Sequence, residues 1–259
     1  MPNSIITWNN VSSDALNVKV ERFPHIIRAS RKYEQVSVPG RNGNLYFYQD
    51  AFNNYDQEYE IYAGTGVRGN VASTFDDIAS WLVPRETSPA IFDYINLTVG
   101  GYHQLIDSYE PNTIRLATYI DSMDTVNAWS RYGQTTLRFN CRPERFTSDA
   151  FTAVTLTTSG GYLTNPTDRE SKPFIKVYGS GSGTLTVNGY TISIIGMTDY
   201  LHIDCDSQNC FRQVAENRNS LITLTRGFPV LKADGTKQST VSWTGGITSV
   251  EITPRWWKL

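Results

Sequence analysis

The chain has 259 residues, which fits one to two domains and is long enough to bury a core without disulfide or metal staples. Its hydrophobic fraction is 39%, its charged fraction 19% and its formal net charge −2, which exclude a disordered chain and a strongly basic nucleic-acid binder. No window approaches about 18 consecutive apolar residues, so no membrane-spanning helix or membrane insertion is expected.

The N-terminus, Met1 to Asn10, lacks a basic stretch followed by an apolar run, so no secretory signal is expected. Fifteen Tyr, eleven Phe and six Trp make up 12% of the chain, and with abundant Thr, Val and Ile they favour pleated, half-buried surfaces. Ala15 to Phe23 alternates, with Leu16, Val18 and Val20 on one face and Asn17, Lys19 and Glu21 on the other, which predicts a strand. Tyr33 to Val38 and Asn44 to Tyr48 flank Pro39-Gly40-Arg41-Asn42-Gly43. Both Pro-Gly and Asn-Gly favour tight turns, so this segment predicts a hairpin. Tyr55 to Tyr62 alternates again, with Asp56, Glu58 and Glu60 on one face.

One segment has helical spacing. In Asn70 to Leu82, Phe75, Ile78, Ala79 and Leu82 recur at i, i+3, i+4 and i+7. Asn70 or Ser73 is the expected cap, Asp76 and Asp77 favour the helix start, and Pro84 ends it. Ala90 to Leu97, Tyr102 to Tyr109, Thr113 to Asp121 and Gln134 to Cys141 then predict strands. The Thr-, Ser- and Gly-rich stretch from Thr147 to Arg169 marks a domain boundary, giving domains 1–146 and 147–259. Beyond it, Pro173 to Val177, Gly183 to Val187, Tyr190 to Ile195, Tyr200 to Asp204, Ser220 to Thr225, Ser239 to Trp243 and Thr248 to Pro254 predict short strands. A turn of helix is expected near Gln208 to Val214. Asn188-Gly189 is a second two-residue hairpin signal. Such spacing suggests an antiparallel sandwich.

No catalytic, cofactor or metal site is expected. Gly179-Ser180-Gly181-Ser182-Gly183 leads into a strand and not a helix, so a hairpin connection is favoured over a phosphate cradle. His25, His103 and His202 lie far apart, and no nucleophile elbow is present. His202, Cys205 and Cys210 lack a fourth ligand. Asp204 and Asp206 share a strand face on which calcium is conceivable, but a solvated face is favoured. Three cysteines are too few for a disulfide framework and point to folding in a reducing compartment. Asp56, Glu58 and Glu60 are either solvated or meet a basic surface. Lys19, Arg22, Arg28, Arg31, Lys32 and Arg41 could supply that surface in a neighbouring copy. Trp243, Trp256 and Trp257 fit a core or interface; an alternative is sugar stacking by Trp243 and Trp257.

Two regions resemble the distal tail protein (Dit) family of long-tailed, non-contractile bacteriophages. The first is Tyr33-Glu34-Gln35-Val36-Ser37-Val38-Pro39-Gly40-Arg41-Asn42-Gly43-Asn44-Leu45, followed by a Tyr/acidic strand and a helix ending at Trp81-Leu82. The second runs from Asn165-Pro166-Thr167-Asp168 and Ser171-Lys172-Pro173-Phe174-Ile175-Lys176-Val177-Tyr178-Gly179-Ser180-Gly181 onward. Ile203-Asp204, Gly227-Phe228-Pro229-Val230-Leu231, Trp243-Thr244-Gly245-Gly246 and Pro254-Arg255-Trp256-Trp257-Lys258-Leu259 continue it in order.

The resemblance implies a mainly β protein: an N-terminal β-rich, tail-tube-like domain with one α-helix, and a C-terminal galectin-like antiparallel β-sandwich. It implies a non-enzymatic homohexameric ring at the virion tail tip, or baseplate, of a phage or prophage, assembled in the bacterial host cytoplasm. The implied partners are other copies of the chain, the tail-tube protein, the tail-associated hub or lysin protein, and receptor-binding or baseplate proteins. On this reading, Pro39, Gly40, Arg41, Asn42 and Gly43 contribute to subunit or tube contacts. Near-neutral charge suits a channel that DNA crosses without specific binding. The alternative function is a carbohydrate-binding module acting on host surface glycans through the C-terminal sandwich.

Overall fold

The computed structural model describes residues 5–64, 71–83, 101–124, 126–129, 132–213 and 216–259. The expected Ala90 to Leu97 strand lies outside the described residues, as do Asn70 and Pro84 at the two ends of the helix. The chain divides into two compact units, Met1–Arg145 with Leu259, and Phe146–Lys258. It is mainly β, with antiparallel sheets and one described α-helix.

Unit 1 contains β1 (Ile6–Trp8), β2 (Val11–Ser12), β3 (Val18–Val20), β4 (Arg31–Ser37), β5 (Asn44–Phe52), β6 (Tyr55–Gly64), α1 (Val71–Leu82), β7 (His103–Asp107), β8 (Thr113–Tyr119), β9 (Val126–Trp129) and most of β10 (Tyr132–Thr147). The main sheet has the order β2-β1-β7-β8-β10-β6-β3, and β9 also pairs with β10. Its core is built by alternation: Tyr55, Gln57, Tyr59, Ile61 and Ala63 are the buried positions of β6, at strand period. The helix lays Phe75, Ile78, Trp81 and Leu82 into the same core, and Trp81 Nε1 donates to Trp8 O at 3.3 Å.

Two local expectations change in this unit. Ala15 to Phe23 is a strand only from Val18 to Val20. Ser13–Leu16 forms a 3-10 turn, because the Ser12 side chain accepts from Asp14 N and Asn17 takes a left-handed φ of 53° that closes the turn. These local bonds outcompete the alternation pattern. Asp76 and Asp77 fall in the second turn of α1 and not at its start, and Ser73 lies inside the helix.

A buried ion network crosses unit 1. Arg115 Nη1 donates to Asp107 Oδ2 at 2.9 Å, and the Tyr59 hydroxyl donates to the same oxygen at 2.7 Å. Asp107 Oδ1 accepts from the backbone N–H groups of Tyr109 (3.0 Å) and Glu110 (2.7 Å). Glu110 binds Arg115, Arg145 and Arg28, and Arg145 also donates to Leu259 O. Arg115 and Asp107 are both buried, so each charge depends on the other.

Unit 2 contains β11 (Val154–Leu156), β12 (Gly161–Thr164), β13 (Phe174–Val187), β14 (Tyr190–Asp204), β15 (Asn209–Phe211), β16 (Ile222–Leu224), β17 (Gln238–Thr253) and β18 (Trp257–Lys258). Its sheet runs β11-β17-β13-β14-β15, with β12 on the other half of β17 and β16 on the other half of β14. Three long strands therefore carry the unit, and both halves of each are paired. The sequence pattern breaks each of them into two. Gly179-Ser180-Gly181-Ser182-Gly183 is not a hairpin connection: it lies within β13, where the register shifts against both β14 and β17.

Close approach explains why glycines occupy that bend. A Cβ on Gly179 would lie 2.0 Å from Gly246 O, and one on Gly246 would lie 1.8 Å from Ser180 O. The two backbones pass too near for any side chain. The Asn188-Gly189 turn joins β13 to β14 with both residues at positive φ (58° and 81°), the geometry that a two-residue hairpin requires. Gln208 to Val214 contains β15 and not a turn of helix over its described residues.

His202, on β14, sits among Phe174, Tyr200 and Phe211, with ring centroids 5.2–5.3 Å away. Burial, helped by the Lys176 charge, lowers its pKa from 6.5 to about 4, while Glu251 acts weakly the other way. The unfolded chain takes up this proton first. The contribution is complete above pH 6.5 and is lost as pH falls towards 4, and because the ring is only half-buried it amounts to roughly 1–2 kcal/mol. His202→Leu should flatten that part of the stability–pH curve relative to the parent in denaturant titrations. Parallel curves from pH 7 to pH 4 would count against a neutral, half-buried His202.

Candidate functional site

β4 and β5 form a two-stranded ribbon that pairs with no other strand among the described residues. Its base is fixed: Asn53 N and Nδ2 donate to Ser30 O and Oγ at 2.8 and 3.0 Å. Gln57 Nε2 holds the incoming segment through His25 O at 2.9 Å. At the tip, Arg41 N donates to Val38 O at 3.1 Å across Pro39-Gly40. Proline supplies the first turn dihedral, and Gly40, at φ 79°, supplies the left-handed second one. Pro39, Gly40, Arg41, Asn42 and Gly43 are all exposed.

The ribbon faces are unusual for a soluble surface. Tyr33 pairs in register with Tyr48, and Gln35 with Tyr46, so their side chains share one face. Tyr33 contacts Tyr46 and Tyr48 edge-on, at 5.4 and 6.3 Å, and the Arg31 guanidinium lies 4.7 Å over the Tyr48 ring. Val36, Leu45 and Phe47 occupy the opposite face. Tyr33, Tyr46, Phe47 and Tyr48 are each about half exposed. A two-stranded ribbon alone is marginal in water, and exposed apolar patches of this kind mark interaction surfaces. Tyrosine and phenylalanine are among the residues enriched in the cores of protein interfaces.

The turn chemistry of Pro39 to Gly43 makes the tip legible in the sequence, whereas the exposure of the aromatic faces depends on strand pairing. Tyr46-Phe47-Tyr48 held the signal, since three consecutive aromatics on a strand cannot all face one core.

The acidic row of β6 is met within the chain. Glu58 pairs with Arg138 on the adjacent β10 at 2.8 Å, Asp56 accepts from Asn140 at 2.7 Å, and Glu60 binds Arg22. Of the basic series, Lys19, Arg28 and Arg31 also have partners in the chain: Asp14, Glu110 and Asp50.

In unit 2, Asp204 is buried and accepts from Asp206 N, from Ser207 N and Oγ, and from Arg255 Nη1 at 2.6 Å. Its lone pairs thus hold a turn together. Asp206 instead pairs with Lys172 on the surface. Among the described residues, no group of three or more His, Cys, Asp and Glu converges to hold a metal ion. Cys141, Cys205 and Cys210 are buried and unbridged, and burial raises the Cys141 and Cys210 thiols to about 12, so they stay protonated. Trp243 is 9% exposed and packs inward. Trp257 is half-buried, donates from Nε1 to Glu170 O at 2.8 Å and has the Arg169 guanidinium 5.8 Å over its ring. Sugar stacking needs an open ring face, which Trp243 does not offer.

No family model and no curated protein matches the chain. Among solved structures, it is similar to the Dit (gp 19.1) protein of SPP1, described as a paradigm of the hub adsorption apparatus in phages that infect Gram-positive hosts. The TM-score is 0.68 over 98% of this chain and 99% of that chain, at 13% identity. The fold of this chain matches that of Dit along nearly its whole length.

Proposed function

We propose that this chain is a structural, non-enzymatic subunit of a phage or prophage tail-tip hub. Six copies form a ring that joins the tail tube to the tail-associated hub or lysin protein and to receptor-binding or baseplate proteins, around a channel for DNA. The observation that carries this reading is the β4–β5 ribbon, which exposes Tyr33, Tyr46 and Tyr48 on one face and Val36 and Phe47 on the other, apolar area that a partner would cover. The whole-chain likeness to a hub protein's fold supports it. Closed rings of identical subunits satisfy such a surface without leaving it open to fibre growth.

Light scattering on the full chain should give six times the 29.2 kDa chain mass, and negative-stain images should show rings. A variant carrying Tyr33→Ser, Phe47→Ser and Tyr48→Ser should fold but stay monomeric at the same concentration. Removing three anchors raises the dissociation constant by roughly a hundredfold or more. A parent that is monomeric at every concentration and never images as a ring would sink the reading. If Arg41→Ala with Asn42→Ala leaves ring assembly and tube binding unchanged, the tip has no part in the contact.

A further inference from the structure

The sequence holds two Asn-Gly pairs, Asn42-Gly43 at the tip of the ribbon and Asn188-Gly189 between β13 and β14. An asparagine followed by glycine can react with its own main chain, because no Cβ shields the next backbone nitrogen. The reaction requires the side chain to swing its Cγ over that nitrogen, so whatever ties the amide down decides which pair reacts.

The two pairs are held differently. Asn188 Nδ2 donates to Val230 O at 3.1 Å, and its backbone N donates to Thr240 O at 2.9 Å. The Val187↔Tyr190 pair closes the turn, with Asn188 and Gly189 both at positive φ. Asn188 is also half-buried. Swinging its amide into position would break the bond to Val230 O and work against the turn. Asn42-Gly43 has none of these ties. It lies beyond the turn that Arg41 N closes on Val38 O, and before the Ser37↔Asn44 pair that begins the ribbon. Both residues are exposed, and no described residue hydrogen-bonds to the Asn42 side chain. Nothing lies within 4 Å of the Gly43 Cβ position, which leaves space for ring closure. Gly189 is equally open there, so the difference between the pairs rests on the asparagine.

We propose that Asn42 is the preferred site of spontaneous deamidation in the folded chain, with solvent water as the co-reactant. The Gly43 nitrogen attacks Asn42 Cγ. A Cγ–N bond forms, the Cγ–Nδ2 bond breaks, and Nδ2 leaves as ammonia with the proton from the Gly43 nitrogen. Water then opens the cyclic imide at either carbonyl, giving aspartate or its β-linked isomer. One water is consumed and one ammonia released. Either product puts a carboxylate beside Arg41, and the isomer adds one methylene to the main chain ahead of β5. The proposal concerns the free chain and does not depend on ring assembly.

Incubating the full chain at mildly alkaline pH, with proteolysis and tandem mass spectrometry at intervals, tests it. The Asn42 fragment should gain the mass difference between an amide and a carboxylate and separate into two products. Conversion at Asn42 should be at least roughly tenfold faster than at Asn188, a barrier difference of about 1.4 kcal/mol. In guanidinium chloride, where the Val230 and Thr240 contacts are lost, that ratio should fall towards one. Asn42→Gln should remove the main acidic species from native isoelectric focusing, because glutamine would have to close a larger ring. A smaller ratio in the folded chain, or one that does not fall on unfolding, overturns the proposal. So does aspartate formed without its β-linked isomer, or an acidic species that persists in Asn42→Gln.

Discussion

Gly246→Ala should cost unit 2 more than about 3 kcal/mol and lower its melting temperature by more than about 12 °C. The added Cβ would lie 1.8 Å from Ser180 O, a backbone atom of β13 whose residue pairs with Thr198 of β14. Relief therefore requires separating β13 from β17, the two central strands of the unit. Gly160→Ala provides the contrast. Gly160 has a left-handed φ of 96° but nothing within 4 Å of the added atom, so the cost is conformational only, about 1–2 kcal/mol. Thermal melts of the full chain, with hydrogen exchange read separately over β13 and β17, distinguish the two. Equal losses for the two substitutions would show that close approach of the strands is not what requires glycine at the bend.

Arg115→Met should destabilise unit 1 by about 3–5 kcal/mol. The substitution keeps much of the side-chain volume but leaves Asp107 buried without its cation, and frees one side of Glu110. Asp107 would keep the Tyr59 hydroxyl and two backbone N–H donors, which moderates the loss but does not neutralise the charge. The double variant Arg115→Met with Asp107→Asn should lose less than the sum of the two single variants, because the uncompensated charge is gone. Denaturant titrations of all four proteins give the coupling. Strict additivity, or a loss below about 1 kcal/mol for Arg115→Met, would mean that the pair is not held dry inside the unit.

Much of the architecture could be read locally. The helix at 71–82 follows from Phe75, Ile78 and Leu82 recurring on one stripe. The Asn188-Gly189 hairpin follows from two residues that tolerate positive φ. The β6 strand follows from its strict alternation. Each rests on a preference that needs no distant partner. The failures share the opposite cause. Gly179 to Gly183 reads as a turn because glycine usually marks one, but here the glycines serve a strand 60-odd residues downstream in the chain. Asp204 reads as solvated because its neighbours alternate, but Arg255 arrives from beyond the end of β17 and buries it.

The candidate surfaces divide in the same way. The turn at Pro39 to Gly43 was legible because proline and glycine encode it directly. That the strands beside it stand alone, with aromatics on both faces, depends on which strands β4 and β5 do not join.

By itself, the sequence determined a mainly β chain with one described α-helix, its tight turns and its aromatic excess, because these follow from dihedral preference and periodicity over a few residues. Only the tertiary structure decided how those aromatics are spent. Tyr59 and Phe139 go to the core, while Tyr33, Tyr46 and Tyr48 go to an open ribbon. Burial is a property of what the rest of the chain brings alongside a residue, and no local pattern carries it.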